Sequence, residues 1–213
     1  PIFAHGDVRK VLIIGGGDGG VLKQVLRHSS VVHATIVEID EKVIELCAKY
    51  LPNISDGAFN DSRTSLVIDD GFSYLAKNKN IYDVIIVDST DPVGPGEVLF
   101  TEKFYNHCHS SLSEKGILVS QNGVPFTQEN ALVNSHKYLQ GNFKDTTIYL
   151  TVVPSYIGGF MALGWASDFE PHRRVSADDL LDRFNKSGII THYYNSTVHQ
   201  SSFVLPPFIS RMI

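Results

Sequence analysis

The chain has 213 residues, 43% apolar and 19% charged, which is enough apolar content for a sizeable core and too little charge for a disordered chain. Eighteen basic against twenty-three acidic residues give a net charge of -5, so no basic surface is expected and nucleic acid is not an expected partner. Cys47 and Cys108 are too few for a disulfide framework or a four-ligand zinc site, and no apolar run approaches the roughly 18 to 20 residues that cross a bilayer, so a cytoplasmic protein without membrane association is expected.

Short apolar runs alternate with amphipathic stretches, as when buried parallel strands are joined by crossover helices, and predict an α/β doubly wound sheet. In chain order the strands fall at about 10–14, 33–38, 65–68, 83–88 and 116–121, and the helices at about 19–28, 41–50, 101–112 and 127–141. Beyond Asn142 the β-rich runs 146–153 and 159–165 flank Pro154, Gly158 and Gly159, and read as an antiparallel pair closing the sheet. Ser176 with Asp179 three residues on resembles a capping box and opens a helix that Gly188 can end. No linker divides residues 1–213, which read as one α/β domain. Both cysteines are expected as small core hydrophobes.

The first strand, Val11-Leu12-Ile13-Ile14, runs into Gly15-Gly16-Gly17-Asp18-Gly19-Gly20 and then into a helix. Gly15, Gly17 and Gly20 satisfy G-x-G-x-x-G between a strand and a helix start, where bare backbone and free N–H groups can approach a ligand. The motif leaves open a dinucleotide site, an adenosyl-sulfonium site and a structural turn. Asp18 argues against pyrophosphate, whose charge it would repel, and favours a cation; the alternative is that Asp18 only caps the next helix. Glu38, ending the second strand about twenty residues past the loop, stands where an acid accepts hydrogen bonds from ribose hydroxyls, and Asp40 reads as a helix cap.

Asp69-Asp70-Gly71 follows the third strand and Asp88-Ser89-Thr90-Asp91-Pro92 the fourth. Ligands of open α/β sheets bind beyond the carboxyl ends of the strands, so Asp18, Glu38, Asp70, Asp88 and Asp91 are expected to converge on one crevice. That many like charges in one crevice imply cationic ligands. Residues 91–97, rich in Pro and Gly, read as a surface loop at its mouth, either a lid or a plain connector. His107 and His109 are two apart on a helix and share no face, and no histidine falls in a ligand spacing, so no metal is expected.

V-L-I-I-G-G-G-D-G-G, V-E-I-D, D-D-G, Y-D-V-I-I-V-D-S-T-D-P-V-G-P and Y-Y-N-S-T-V-H-Q-S-S-F-V-L-P, taken together and in this order, closely resemble the spermidine synthases, aminopropyltransferases of polyamine biosynthesis. The resemblance implies a Rossmann-like, methyltransferase-type fold, decarboxylated S-adenosylmethionine as the aminopropyl donor, putrescine or a related diamine as acceptor, and spermidine with methylthioadenosine as products. It further implies that Asp88 accepts the proton, with Ser89, Thr90 and Asp91 lining the diamine site. By the same resemblance Glu38 holds the ribose, Asp70 and Gly71 contact the adenine, Pro95 packs near the nucleoside and Asp18 holds the donor amine. Gln121 and Tyr156 complete the amine pocket, and the assembly is a homodimer or homotetramer. Spermidine synthases also carry a small β-rich domain ahead of the glycine loop, and this chain, opening at Pro1, starts after it.

Overall fold

A computed structural model describes all of residues 1–213. Seven strands, β1 (Lys10–Gly15), β2 (His33–Glu38), β3 (Thr64–Ile68), β4 (Tyr82–Asp88), β5 (Leu112–Gln121), β6 (Asp145–Val152) and β7 (Phe160–Ser167), form one sheet in the order β3-β2-β1-β4-β5-β7-β6. The first five are parallel, and β7 runs antiparallel to both β5 and β6. This is the doubly wound sheet with the antiparallel pair that the pattern predicts. Helices α1 (Ile2–His5), α2 (Gly20–Leu26), α3 (Glu41–Tyr50), α4 (Pro52–Ser55), α5 (Gly71–Lys77), α6 (Glu102–Ser111), α7 (Glu129–Asn142), α8 (Ala177–Ser187), α9 (Ser196–Ser201) and α10 (Pro207–Ser210) complete the chain.

Strand side chains alternate between the two faces of the sheet, and here both faces are covered. Val11 and Ile13 of β1 join Ile36, Val84, Ile117 and Trp165 in one core, against Leu22, Val25 and Leu26 of α2. Leu12 and Ile14 join Val37, Ile85, Val87 and Leu118 in the other, against Leu75 of α5, Phe104 and Cys108 of α6 and Leu139 of α7. Burying a side chain of this size contributes about 1.5–3 kcal/mol, which is why Val11–Ile14 of β1 and Val84–Val87 of β4 are apolar at every position instead of at alternate ones.

Local signals set the helix ends. Asp40 accepts from Lys42 N at 2.9 Å to cap α3, and Thr101 accepts from Phe104 N to cap α6. Ser176 caps α8 by accepting from Asp179 N at 3.0 Å, its hydroxyl donates to Asp179 Oδ2 at 2.7 Å in place of the backbone contact of a capping box, and Gly188 ends α8 with φ 65°. Helices α1, α4, α9 and α10 are absent from the sequence reading, and four further features differ from it. Helix α5 is absent from it, because Asp69-Asp70-Gly71 reads as a turn when its neighbours are not considered. Strand β5 starts at Leu112, before the polar run that hid it, with a register shift opposite Tyr82 and Val84. Residues 94–100 wind into a 3-10 turn, so the mouth of the crevice is more ordered than a plain loop. Cys108 is a core residue as expected, whereas Cys47 is only half-buried on α3.

The first residue of α5 is held against β1 so tightly that a Cβ on Gly71 would lie 2.5 Å from Ile14 Cγ2. Gly71→Ala is therefore expected to destabilise the fold by about 1–3 kcal/mol, the usual cost of overpacking. The same change in an Ile14→Val background, which removes a methyl group but leaves Cγ2 in place, should recover only part of that loss. Urea unfolding of the three variants measures both.

Candidate active site

The parallel register brings Gly15 of β1 opposite Asp88 of β4, Ile14 opposite Val37, and Glu38 opposite Ile68, so β1, β2, β3 and β4 end at one level. The glycine loop leaves the sheet at that level and is tied to β4 by Gly16 N donating to Asp88 O at 2.9 Å. Gly15 and Gly16 have φ of 79° and 68°, the left-handed region that glycine adopts without steric cost. Bare backbone is needed as well as free rotation. A Cβ on Gly16 would lie 3.0 Å from Asp88 Oδ2, and one on Gly17 would lie 2.9 Å from Glu38 Oε2. The two carboxylates thus flank the loop on either side.

A cavity of about 530 Å³ opens over this loop. Its charged lining consists of Asp18, Glu38, Asp40, Asp70 and Asp88, with no lysine, arginine or histidine among the lining residues. The apolar wall is made by Val37, Ile39, Val43 and Leu99, and Pro95 and Gly96 of the 3-10 turn close one side. Ser89, Thr90, Gly71 and Tyr156 also line it. The last of these lies between β6 and β7 and is 46% exposed, at the rim.

The acids are not equivalent. Asp70 is committed on both oxygens: Oδ1 accepts from Phe72 N, and Oδ2 from the N–H and hydroxyl of Ser73, which caps α5. Asp40 is the cap of α3. Glu38 is 8% exposed and accepts from Asp40 N through Oε1 at 3.1 Å, leaving Oε2 over the glycine loop. Asp18 accepts from Gly20 N through Oδ1 at 2.8 Å, yet the N-cap of α2 is Gly19 and no side chain caps that helix, so Asp18 stands just ahead of the helix start and faces the cavity. Burial raises the Asp88 carboxyl above the ordinary aspartate value, and the charges of Asp18 and Glu38 raise it further.

Two residues stand outside this lining. Asp91 turns into an adjoining cleft, and Gln121, although at the end of β5, is buried and donates from Nε2 to Asp91 Oδ1 at 3.3 Å. The expected group of five acids is thus met with Asp40 in the place of Asp91. Gly16 and Gly19, both with positive φ, carry constraints that the G-x-G-x-x-G spacing did not single out; the unbroken run of glycines was the available signal. No group of three His, Cys, Asp or Glu side chains is arranged around a common metal position.

Residues 1–175 match the model of the spermine/spermidine synthase domain. The chain belongs to that family. A polyamine aminopropyltransferase of Pseudomonas syringae pv. tomato is 50% identical over 209 residues, covering 98% of this chain and 73% of that protein. One from a Ruegeria species is 50% identical over 212 residues, covering 100% and 75%. A spermidine synthase crystallised with the transition-state analogue AdoDATO superimposes with a TM-score of 0.94 at 39% identity, covering all of this chain and 71% of the other. The spermidine synthase of Thermotoga maritima gives 0.91 at 38% identity, with coverage of 100% and 70%. In this spermine/spermidine synthase domain the acid-lined cavity lies where the family fold ends its parallel strands, and no helix is long and apolar enough to cross a membrane.

The raised carboxyl of Asp88 fixes the sign of a stability effect. A folded-state pKa above the ordinary 3.8 means that the folded protein holds the proton more tightly than the unfolded chain. Stability is therefore lost as pH rises through the interval from 3.8 to the raised value, and at neutral pH the charged Asp88 weakens the unliganded fold. Asp88→Asn is expected to raise the melting temperature at neutral pH, with a gain that shrinks as the pH is lowered towards 3.8. Calorimetry of both proteins across that range checks it.

Proposed function

We propose that this protein is an aminopropyltransferase that moves the aminopropyl group of decarboxylated S-adenosylmethionine to putrescine, giving spermidine and methylthioadenosine. The observation that carries the reading is the cavity over the glycine loop, lined by five carboxylates and no basic side chain. Both substrates are cations, one a sulfonium with a terminal amine and the other a diamine, and fixed negative charge in a partly dehydrated site binds such ligands. The family membership and the named activities of the relatives point the same way.

In this reading Glu38 takes the ribose hydroxyls through its free Oε2, and the adenine lies between the apolar residues Val37, Ile39 and Leu99 near Pro95. Asp70 and Gly71 stand at the adenine edge. The Asp70 oxygens are engaged with α5, yet a carboxylate has about four lone-pair sites, so one acceptor position remains for the exocyclic amine. Asp18 holds the donor amine with its second oxygen. Ser89, Thr90 and Tyr156 line the path of the diamine, and Asp91, accepting from Gln121, stands beyond this lining in the adjoining cleft.

The reaction is a displacement. The acceptor nitrogen uses its lone pair to bond the methylene carbon attached to sulfur, the carbon–sulfur bond breaks, and the electron pair returns to sulfur as a neutral thioether. A proton must leave the attacking amine, and a primary amine of pKa about 10.4 is protonated at neutral pH. An ordinary carboxylate is a weak base for that proton. Burial together with the charges of Asp18 and Glu38 makes Asp88 a stronger base than a free aspartate. The sulfonium lowers the amine's own pKa from the opposite side, so the gap narrows from both ends. Because the leaving group is neutral, alignment of nitrogen, carbon and sulfur carries much of the remaining rate.

Asp88→Asn is expected to lower kcat by about 10²- to 10⁴-fold, the range of general-base catalysis, while methylthioadenosine affinity changes little. An undiminished kcat would remove Asp88 from the chemistry. Asp18→Asn keeps an oxygen for the Gly20 N–H and removes the charge. It is expected to weaken the decarboxylated donor about tenfold and to narrow the preference for it over ordinary S-adenosylmethionine, whose carboxylate Asp18 repels. Mass spectrometry of products with both donors and a panel of diamines tests the activity, the acceptor and this selectivity together.

A further inference from the structure

Every residue that lines the crevice lies between Ile14 and Leu99 in the sequence except Tyr156. That residue is carried by the turn between β6 and β7, in which residues 154–158 are all exposed and Gly158 and Gly159 have φ of 86° and 71°. The turn is closed by Val153 N donating to Gly159 O at 2.9 Å, Tyr156 N to Val153 O at 3.0 Å and Gly159 N to Tyr156 O at 3.0 Å. These bonds lie within the turn, so they fix its shape but not its direction. An exposed turn with two glycines needs contacts from outside to hold one side chain in place. Such contacts come from the C-terminal segment. Strand β6 is at the edge of the sheet, so alternate N–H groups point away from β7. Leu150 N donates to Ser202 O at 2.9 Å and Val152 N to the Tyr193 hydroxyl at 3.1 Å, and two successive outward N–H groups are thus taken by the chain beyond α8. Val152 is the last residue of β6, so Tyr193 grips the strand where the turn begins.

We infer that Tyr193 is a positioning residue for the transfer reaction, a role that rests on the proposed function: by accepting from the Val152 N–H it sets the direction of the turn and holds Tyr156 at the crevice, where Tyr156 meets the acceptor amine. Tyr193 does not line the crevice, so its action runs through the backbone from Val152 to Tyr156. Its ring is 51% exposed and contributes little burial, which leaves the hydroxyl as the part with a structural task. The other residues of the Y-Y-N-S-T-V-H run have tasks of their own that hold Tyr193 in place. The Tyr194 ring stacks on Phe3 with centroids 5.0 Å apart and its hydroxyl meets His199 Nδ1 at 3.2 Å, while Asn195 caps α9 by accepting from Val198 N at 2.7 Å. On the other side of the turn a Cβ on Gly158 would lie 2.8 Å from Phe126 Cδ2, and Phe126 stacks on Phe208 of α10 with centroids 5.2 Å apart. The turn therefore rests on an aromatic pair and is aimed by one hydrogen bond.

Steady-state kinetics of Tyr193→Phe are expected to show the diamine KM raised about fivefold, the bias that one ordinary hydrogen bond can impose on a turn with two directions, with kcat and the KM of decarboxylated S-adenosylmethionine little changed. Tyr156→Ala should raise the diamine KM as well, and adding Tyr193→Phe to it should have no further effect, since both changes act through one side chain. Hydrogen exchange should quicken in the peptide spanning residues 150–160 of Tyr193→Phe and stay as it was in β1 and β4. Retention of the melting-temperature rise with methylthioadenosine shows that each variant is folded. An unchanged diamine KM, a donor KM that rises equally, unchanged exchange in the turn, or an effect that persists in full in the Tyr156→Ala background overturns the positioning role and leaves the crevice reading standing. If the unaltered protein transfers no aminopropyl group, the crevice reading itself falls and the role of Tyr193 falls with it.

Discussion

The site depends on one alignment, the register of β1 against β4. It ends both strands at the same level, with Gly15 beside Asp88, and the Gly16 N–H bonded to the Asp88 carbonyl fixes the glycine loop to the neighbouring strand. A slip by one residue would turn Asp88 to the other face of the sheet, into the position of a core side chain. The register is held in place by apolar side chains on both faces, Leu12 and Ile14 towards one helix layer and Val11 and Ile13 towards the other. The core therefore positions the chemistry: the packing that stabilises the sheet also determines which backbone atoms meet which carboxylate.

From that alignment the electrostatics follow. Strand ends of a parallel sheet converge, and in this chain β2 and β4 end in acids while the loop after β1 carries a third. Burial raises the Asp88 carboxyl, and the charges of Asp18 and Glu38 raise it further, an electrostatic strain added to the cost of burial in the unliganded site. That strain is relieved when a cation enters, so binding and proton affinity are two aspects of the same repulsion. On the proposed mechanism Asp88 meets two demands that conflict in water, attracting an ammonium group and taking a proton from it. A bound cation offsets the repulsion from Asp18 and Glu38, whereas burial, the larger cause of its raised carboxyl, persists and keeps it more basic than a free aspartate.

Much of this was legible in the sequence because buried parallel strands leave continuous apolar runs. Strand β2 and helix α3 match their expected limits, and the capping residues Asp40, Ser176 and Gly188 act as their types predict. What was not legible depended on contacts distant in sequence. Helix α5 begins at a glycine that reads as a turn, and only its packing on Ile14 explains why no side chain is tolerated there. Asp91 was expected in the crevice because it follows β4, but the direction of its side chain is set by Gln121, thirty residues on, and by the 3-10 turn beside it. Sequence position locates a residue at a strand end, and the neighbouring strand and turn decide which way it faces.

Under the proposed function, Asp18 serves structure and selectivity together. One of its oxygens holds the Gly20 N–H at the start of α2, which fixes the carboxylate in direction as well as in place. A flexible acid could swing away from an unfavourable partner and would discriminate poorly; one fastened to the Gly20 N–H cannot do so without losing a hydrogen bond of about 1 kcal/mol. A donor bearing its own carboxylate therefore meets a charge that cannot retreat, and a donor lacking it meets a ready partner for its amine. Rejection of the common methyl donor would then require no bulky obstacle in the pocket. On the proposed function, the hydrogen bond to Gly20 N, ordinarily a local stabilising detail, supplies the rigidity that turns one negative charge into a filter.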